Sequence, residues 1–348
     1  MIELTAPALV RSRIALFVVL SLVVFASACG SSTENGSATP TTTATTLPTP
    51  VTVGGASPSS PLGPIRRVPV IALSDGAISI PANMTPVDWD NALRIGFRQL
   101  GSGPDLLLIM GEHGTMTWWD PQLLETLASS FRVTIFDLPG IGYSASMHDA
   151  SIASYADATA GLIASLGLMT PVVLGWGLGG EVALALAERH PGMASQLVLV
   201  DTSAGGKDLV LPRHNAAVLI GSSTATTTAC SRLLFPSSEE AARLAWLGQI
   251  EELPPDDAVA SAIQAQAKIQ AAFASNDTVA RALGGIKVRS LVVEGDHDVL
   301  FPPLDATYLV AGLRHARELL LEDAGYGGII QDSAQFVSAL QAFVTPSP

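Results

Sequence analysis

Residues 175–180 read Gly175-Trp176-Gly177-Leu178-Gly179-Gly180. An apolar run ending at Leu174 leads into them, and a helical pattern begins near Gly180. Strand, sharp turn and helix in that order raise one residue at the head of a sheet, and small neighbours let other backbone pass close by. That arrangement suits a nucleophile. The central residue, however, is Gly177, and a hydrogen atom cannot attack a carbonyl, so no acyl-enzyme can form there. Other groups able to do chemistry are the carboxyl of Asp298 in Gly295-Asp296-His297-Asp298, the phenol of Tyr326 in Ala324-Gly325-Tyr326-Gly327, and His113 in His113-Gly114-Thr115 after the apolar run ending at Met110. A carboxylate placed like Asp298 can orient an imidazole. Tyrosine, with an ordinary pKa near 10, is protonated at neutral pH and is a weak general base.

Together these segments resemble the α/β-hydrolase fold superfamily, of the capped kind with a G-x-S-x-G elbow. His113-Gly114 resembles the oxyanion loop. Asp137-Leu138-Pro139-Gly140-Ile141-Gly142-Tyr143-Ser144 resembles the D-x-P-G-x-G-x-S turn, and Gly295 to Asp298 followed by Pro302 resembles the acid loop. The match runs over most of Leu93 to Val344. The resemblance implies that Gly177 stands at the nucleophile position, Asp298 at the retained acid position, and Tyr326 at the position of the base. It further implies that His113, Gly114, Thr115, Trp176, Leu178 and Trp118 surround the oxyanion hole and pocket. The pair Trp118-Trp119 suits either a pocket wall or the core.

Two of the three catalytic positions therefore carry the wrong chemistry. A triad acts as a unit, so once one member is lost the others contribute little to rate. Glycine also adopts freely the elbow backbone that costs other residues about 1–3 kcal/mol. The expectation is a protein that is not an enzyme of the Ser-His-Asp kind and binds a small hydrophobic ligand or an envelope partner. The alternative is an esterase-like hydrolase using a non-standard nucleophile or activated water, with Asp298, Tyr326 or His113 taking part. Ser144 lies in a turn after Asp137, not in a strand-turn-helix context, and is expected to be structural. His297, between two carboxylates, is expected to be solvated. No cofactor is expected, and no metal, because the adjacent Asp296, His297 and Asp298 point in different directions along an extended segment.

The elements that must position these groups alternate short apolar runs with amphipathic stretches, which predicts an α/β fold: a mostly parallel central sheet with flanking helices. Strands are expected at 93–100, 106–110, 132–136, 172–174, 197–200 and 291–293, and helices at 181–189 and 332–343. Runs such as Leu-Val-Leu-Val alternate little, as in strands covered on both faces. From about 206 to 282 only helical signals occur, which predicts an inserted helical cap within a domain spanning 65–348.

The 348 residues are 48% hydrophobic and 14% charged, enough apolar material for a large core and unlike a disordered chain. A net charge of −13 with no basic cluster disfavours nucleic acid as a partner. Arg11 and Arg13 precede an apolar run from Ile14 to Phe25, then Ala26, Ser27, Ala28 and Cys29. That is the layout of an export signal over 1–28, and the run is shorter than the ~20 residues a membrane-spanning helix needs. The position of Cys29 resembles the lipobox of bacterial lipoproteins, with Ala26 where leucine is commoner. The resemblance implies acylation of Cys29 and a lipid anchor on the outer face of the cytoplasmic membrane. Residues 29–64, rich in Ser, Thr, Pro and Gly, are expected to form a disordered tether. Cys230, the other cysteine, is expected to be a small buried hydrophobe.

Overall fold

The computed structural model describes residues 51–52, 64–70, 93–220, 222, 227–251 and 260–345. Residues 1–28, Cys29 and most of the tether lie outside the described residues. Within Ala44–Pro348 the strands are β1 (Val51–Thr52), β2 (Arg66–Val70), β3 (Leu93–Leu100), β4 (Asp105–Ile109), β5 (Arg132–Phe136), β6 (Val172–Trp176), β7 (Gln196–Val200), β8 (Arg289–Gly295) and β9 (Ala316–Leu321). They form one nine-stranded sheet in the order β1-β2-β3-β5-β4-β6-β7-β8-β9. Pairing is antiparallel from β1 through β3 to β5, and parallel from β5 to β9.

The central strands β4 to β8 are buried on both faces because helices cover both. Along β4, Leu106 and Leu108 enter one apolar cluster while Leu107 and Ile109 enter the other. This alternation turns a continuous apolar run into two cores. The helices are α1 (Pro121–Ala128), α2 (Ile152–Ser165), α3 (Leu178–Arg189), α4 (His214–Ile220), α5 (Thr227–Leu234), α6 (Glu240–Glu251), α7 (Ala260–Ala274), α8 (Thr278–Ala282), α9 (Pro303–Gly312), α10 (Gly328–Gln331) and α11 (Ser333–Val344). Between β7 and β8 the described elements, α4 to α8 and short 3-10 turns, are all helical.

Local chemistry sets the boundaries nearest the site. Asp120 caps α1 by accepting the Leu123 N–H at 2.7 Å, with Pro121 in the first turn. Ser151 and Ser154 cap α2 reciprocally. The Asp137 turn braces the loops around the sheet's head. Its Oδ1 accepts the Met116 N–H and its Oδ2 the Tyr143 N–H, each at 2.7 Å. Ser144 Oγ donates to the Asp137 carbonyl at 2.6 Å, which makes it a structural hydroxyl. Among the described residues no helix is long and apolar enough to cross a membrane.

Candidate active site

The last residue of β6 is Trp176, and α3 begins at Leu178. Between them Gly177 has φ 53° and ψ −120°, a conformation that side-chain-bearing residues rarely adopt. A Cβ on Gly175 would strike the Gly179 carbonyl, and one on Gly179 would strike the Ile109 carbonyl, so both flanking glycines permit backbone contact that nothing larger would. The chain therefore makes the sharp elbow that the spacing predicts.

The space above Gly177 is filled from elsewhere. The carboxylate of Glu112, on the loop after β4, accepts the Leu178 N–H at 2.9 Å and the Gln270 side-chain amide at 2.5 Å through Oε1. Its Oε2 accepts the Tyr326 hydroxyl. A Cβ on Gly177 would lie 2.5 Å from Glu112 Oε2 and would collide with the Tyr326 hydroxyl. Burial pushes the Glu112 carboxyl above the usual carboxylate range, against the pull of these donors. Burial, and then the neighbouring Glu112 charge, push the Tyr326 phenol well above its ordinary value, so it serves as a donor.

Tyr326 is held rigidly. Trp176 Nε1 donates to its carbonyl at 2.9 Å, and its ring packs 5.0 Å from Trp176 and 5.9 Å from Phe301. No described hydrogen bond joins Tyr326 to Asp298. Asp298 Oδ1 instead accepts the Leu300 N–H at 2.7 Å, while its Oδ2 is unpartnered. The acid and base positions thus lie in one neighbourhood without forming a relay.

The loop residues divide. Gly111 approaches the elbow closely, since its Cβ would lie 2.5 Å from the Tyr326 hydroxyl and 3.1 Å from the Trp176 carbonyl. Gly114 faces Met110 and Trp118 instead, and Thr115 caps the 3-10 turn at Met116–Trp118. His113, at φ 61°, donates its backbone N–H to Gln266 Oε1 at 2.7 Å. Burial lowers its imidazole to about 4, so the ring is neutral at physiological pH. Trp119 is fully buried against Trp176, while Trp118 packs edge-on to Trp246 of α6. His297 pairs with Asp296 at 2.6 Å on the exposed side of its loop. Cys230 is half-buried, its thiol pushed up by burial, beside a small cavity that also touches Trp118 and Tyr326.

Glu112 opens onto a cavity of about 320 Å³ between the sheet's head and helices α4 and α7. Leu209, Leu211, Ile220 and Phe301 give it apolar walls, and Glu112, His113, Glu181 and Gln270 are its polar groups. Burial and the nearby Glu112 charge raise the Glu181 carboxyl well above its usual range. No motif in the sequence pointed to Glu112. The signal was an acidic residue inside an apolar strand-end segment, where an ionisable group is costly unless partnered.

Residues 104–332 match the family model described as alpha/beta hydrolase fold. The chain belongs to this family. It is 32% identical over 257 residues to a pimeloyl-[acyl-carrier protein] methyl ester esterase of Nitrosomonas europaea, across 70% of this chain and 96% of that relative. An alpha/beta hydrolase fold protein from Chitinophaga pinensis superposes with a TM-score of 0.65 at 28% identity, over 74% of this chain and 95% of that one. A thermophilic esterase from Thermogutta terrifontis superposes with a TM-score of 0.59 at 23% identity, over 80% and 97%.

These relatives correct the expectation that the chain is not an enzyme. An esterase similar over nearly its whole length suggests catalytic activity. The expectation weighed only the two altered side chains, Gly177 and Tyr326, whereas the carboxyl beside the elbow comes from Glu112.

Proposed function

We propose that this protein is an ester hydrolase for a small, largely apolar substrate, with Glu112 as general base in place of a serine nucleophile. The observation that carries this reading is the Glu112 carboxylate, seated against the Leu178 N–H and facing the cavity. A carboxyl whose pKa is raised toward neutrality is a better base than an ordinary one. Glu112 takes a proton from water as the water oxygen bonds to the ester carbonyl carbon. The tetrahedral adduct then expels the alcohol oxygen, which recovers that proton, leaving acid and alcohol. The Leu178 N–H, released as Glu112 turns to the water, and the Tyr326 hydroxyl are the donors for the developing oxyanion.

Turnover of short and medium acyl esters by the full chain tests this, with Glu112→Gln beside the wild type. Loss of about 100-fold or more in kcat, with the melting transition retained, is expected. Equal turnover in Glu112→Gln, or none by the wild type across the panel, would overturn it. A fluorophosphonate should leave the wild type unlabelled, because Gly177 offers no hydroxyl.

The reading includes an anchor. Acylated Cys29 would hold the domain at the outer face of the cytoplasmic membrane, supported by the layout of residues 11–29. Labelling with a fatty-acid analogue that persists in Cys29→Ser would refute it.

A further inference from the structure

One helix of the cap reaches the proposed base. Along α7, Gln266, Ile269, Gln270 and Phe273 recur at the spacing that puts side chains on one face of a helix. Ile269 and Phe273 are buried and enter the apolar cluster that holds Leu107 and Ile109 of β4. The two glutamines on that face bond to consecutive residues of the loop after β4. Gln266 Oε1 accepts the His113 N–H at 2.7 Å, and Gln270 Nε2 donates to Glu112 Oε1 at 2.5 Å. The amides act in opposite senses, one accepting from a main-chain N–H and one donating to a carboxylate, so neither can turn over without losing its bond. Apolar contacts seat the helix, and the polar pair sets its register on the loop.

The donors to Glu112 differ in what the reaction asks of them. Its Oε1 accepts from the Leu178 N–H and Gln270, its Oε2 accepts from the Tyr326 hydroxyl, and its own main-chain N–H also favours the ionised form. In the proposed reaction the Leu178 and Tyr326 donors pass to the developing oxyanion. Gln270 is then the side-chain donor that remains. The titratable groups around Glu112 cannot replace it. Tyr326 stays protonated, Glu181 of α3 and Asp298 after β8 are acids raised first by burial and further by the Glu112 charge, and His113 is neutral. Among the described residues, no ion pair with lysine, arginine or histidine involves Glu112. A buried carboxylate without a counter-ion depends on neutral donors to stay ionised.

We propose that Gln270 is a positioning residue for the ester hydrolysis inferred above: it stays on Glu112 while Leu178 and Tyr326 turn to the substrate, aiming the carboxylate at water. The inference rests on Glu112 being the base. Because Gln270 belongs to α7, a working base requires the cap to be seated on the loop.

The test measures kcat/KM against pH for the full chain and three variants. Gln270→Leu removes the donor, Gln270→Lys replaces it with a cation, and Gln266→Leu loosens the same helix without touching the base. Loss of a donor raises the Glu112 pKa and a nearby cation lowers it. The acidic limb should therefore move up by about one pH unit in Gln270→Leu and down in Gln270→Lys, with kcat falling more than KM rises in the first. Gln266→Leu should raise KM and leave the limb in place. A limb unmoved in both Gln270 variants, or moved equally by Gln266→Leu, would overturn the role. Unfolding free energies at about pH 5 and about pH 8 read the same contact without turnover: the cost of Gln270→Leu should be larger at the higher pH, and that difference should vanish beside Glu112→Gln. A cost independent of pH would overturn the inference as well. Absence of ester turnover with the difference intact would instead overturn the reaction on which it rests. Should Gln270→Leu fail to fold, the downward shift in Gln270→Lys decides alone.

Discussion

Glu112 Oε2 lies 2.5 Å from where a Gly177 side chain would begin, so the two positions exclude each other: the elbow holds either a side chain of its own or the carboxylate of Glu112. Gly177→Ala should therefore destabilise the fold by about 2 kcal/mol or more, from positive-φ strain and overpacking together. Combining it with Tyr326→Phe, which removes the hydroxyl the new methyl would meet, should cost less than the two single changes summed. Denaturant midpoints measure this, and strict additivity would show that the collision is not the cause.

Tyr326→Phe alone should move the pH profile of turnover. The Tyr326 hydroxyl donates to Glu112 and favours its ionised form, so removing it raises the Glu112 pKa further. Activity requires the ionised base. The acidic limb of kcat/KM against pH should therefore shift to higher pH, and an unmoved limb would exclude Glu112 as the group it reports.

Asp305 predicts a pH-dependent stability. Its Oδ1 accepts the Val210 N–H at 3.0 Å, linking α9 to the segment that enters the cap, and burial raises its carboxyl to about 7. A carboxyl raised in the folded state contributes stability that is fully present below its unfolded pKa of 3.8 and is lost as pH rises through about 7. Asp305→Asn keeps the acceptor and cannot ionise. Its unfolding free energy should fall less between pH 4 and 7 than that of the wild type, as chemical denaturation at several pH values would reveal.

Trp246 ties the cap to the loop after β4. It is 2% exposed and packs 6.0 Å from Trp118 and 6.1 Å from Phe235. Trp246→Ala should cost about 3–5 kcal/mol and raise KM more than it lowers kcat, since it loosens the packing of the cap on Trp118 and leaves Glu112 in place. An equal fall in kcat would place Trp246 in the chemistry.

The frame of this site was legible because glycines and apolar runs encode it locally. Gly175, Gly177 and Gly179 announce an elbow, and the Leu-Val runs announce buried strands. Strand β2 and the edge strand β9 were not. In β9, Arg317, Glu318 and Leu320 are exposed, so its pattern lacks the buried run that identified the centre. The chemical groups were harder still. Glu112 meets Gly177 across 65 positions and Gln270 across 158. Asp201 meets Glu294 only through strand register. No spacing rule links such residues; the order of strands in the sheet does.

The bond from the Leu178 N–H to Glu112 gives the resting protein a property of its own. A carboxylate on that donor has the chemistry of the acid an ester releases on hydrolysis, so in the proposed reaction the chain would carry an internal imitation of the product. Any carbonyl that takes the donor must first displace it, and the measured affinity is the intrinsic affinity scaled by the fraction of molecules in which Glu112 has swung aside. Affinity for substrate is thereby coupled to the motion of one side chain, and a free carboxylic acid must compete with a rival that never diffuses away.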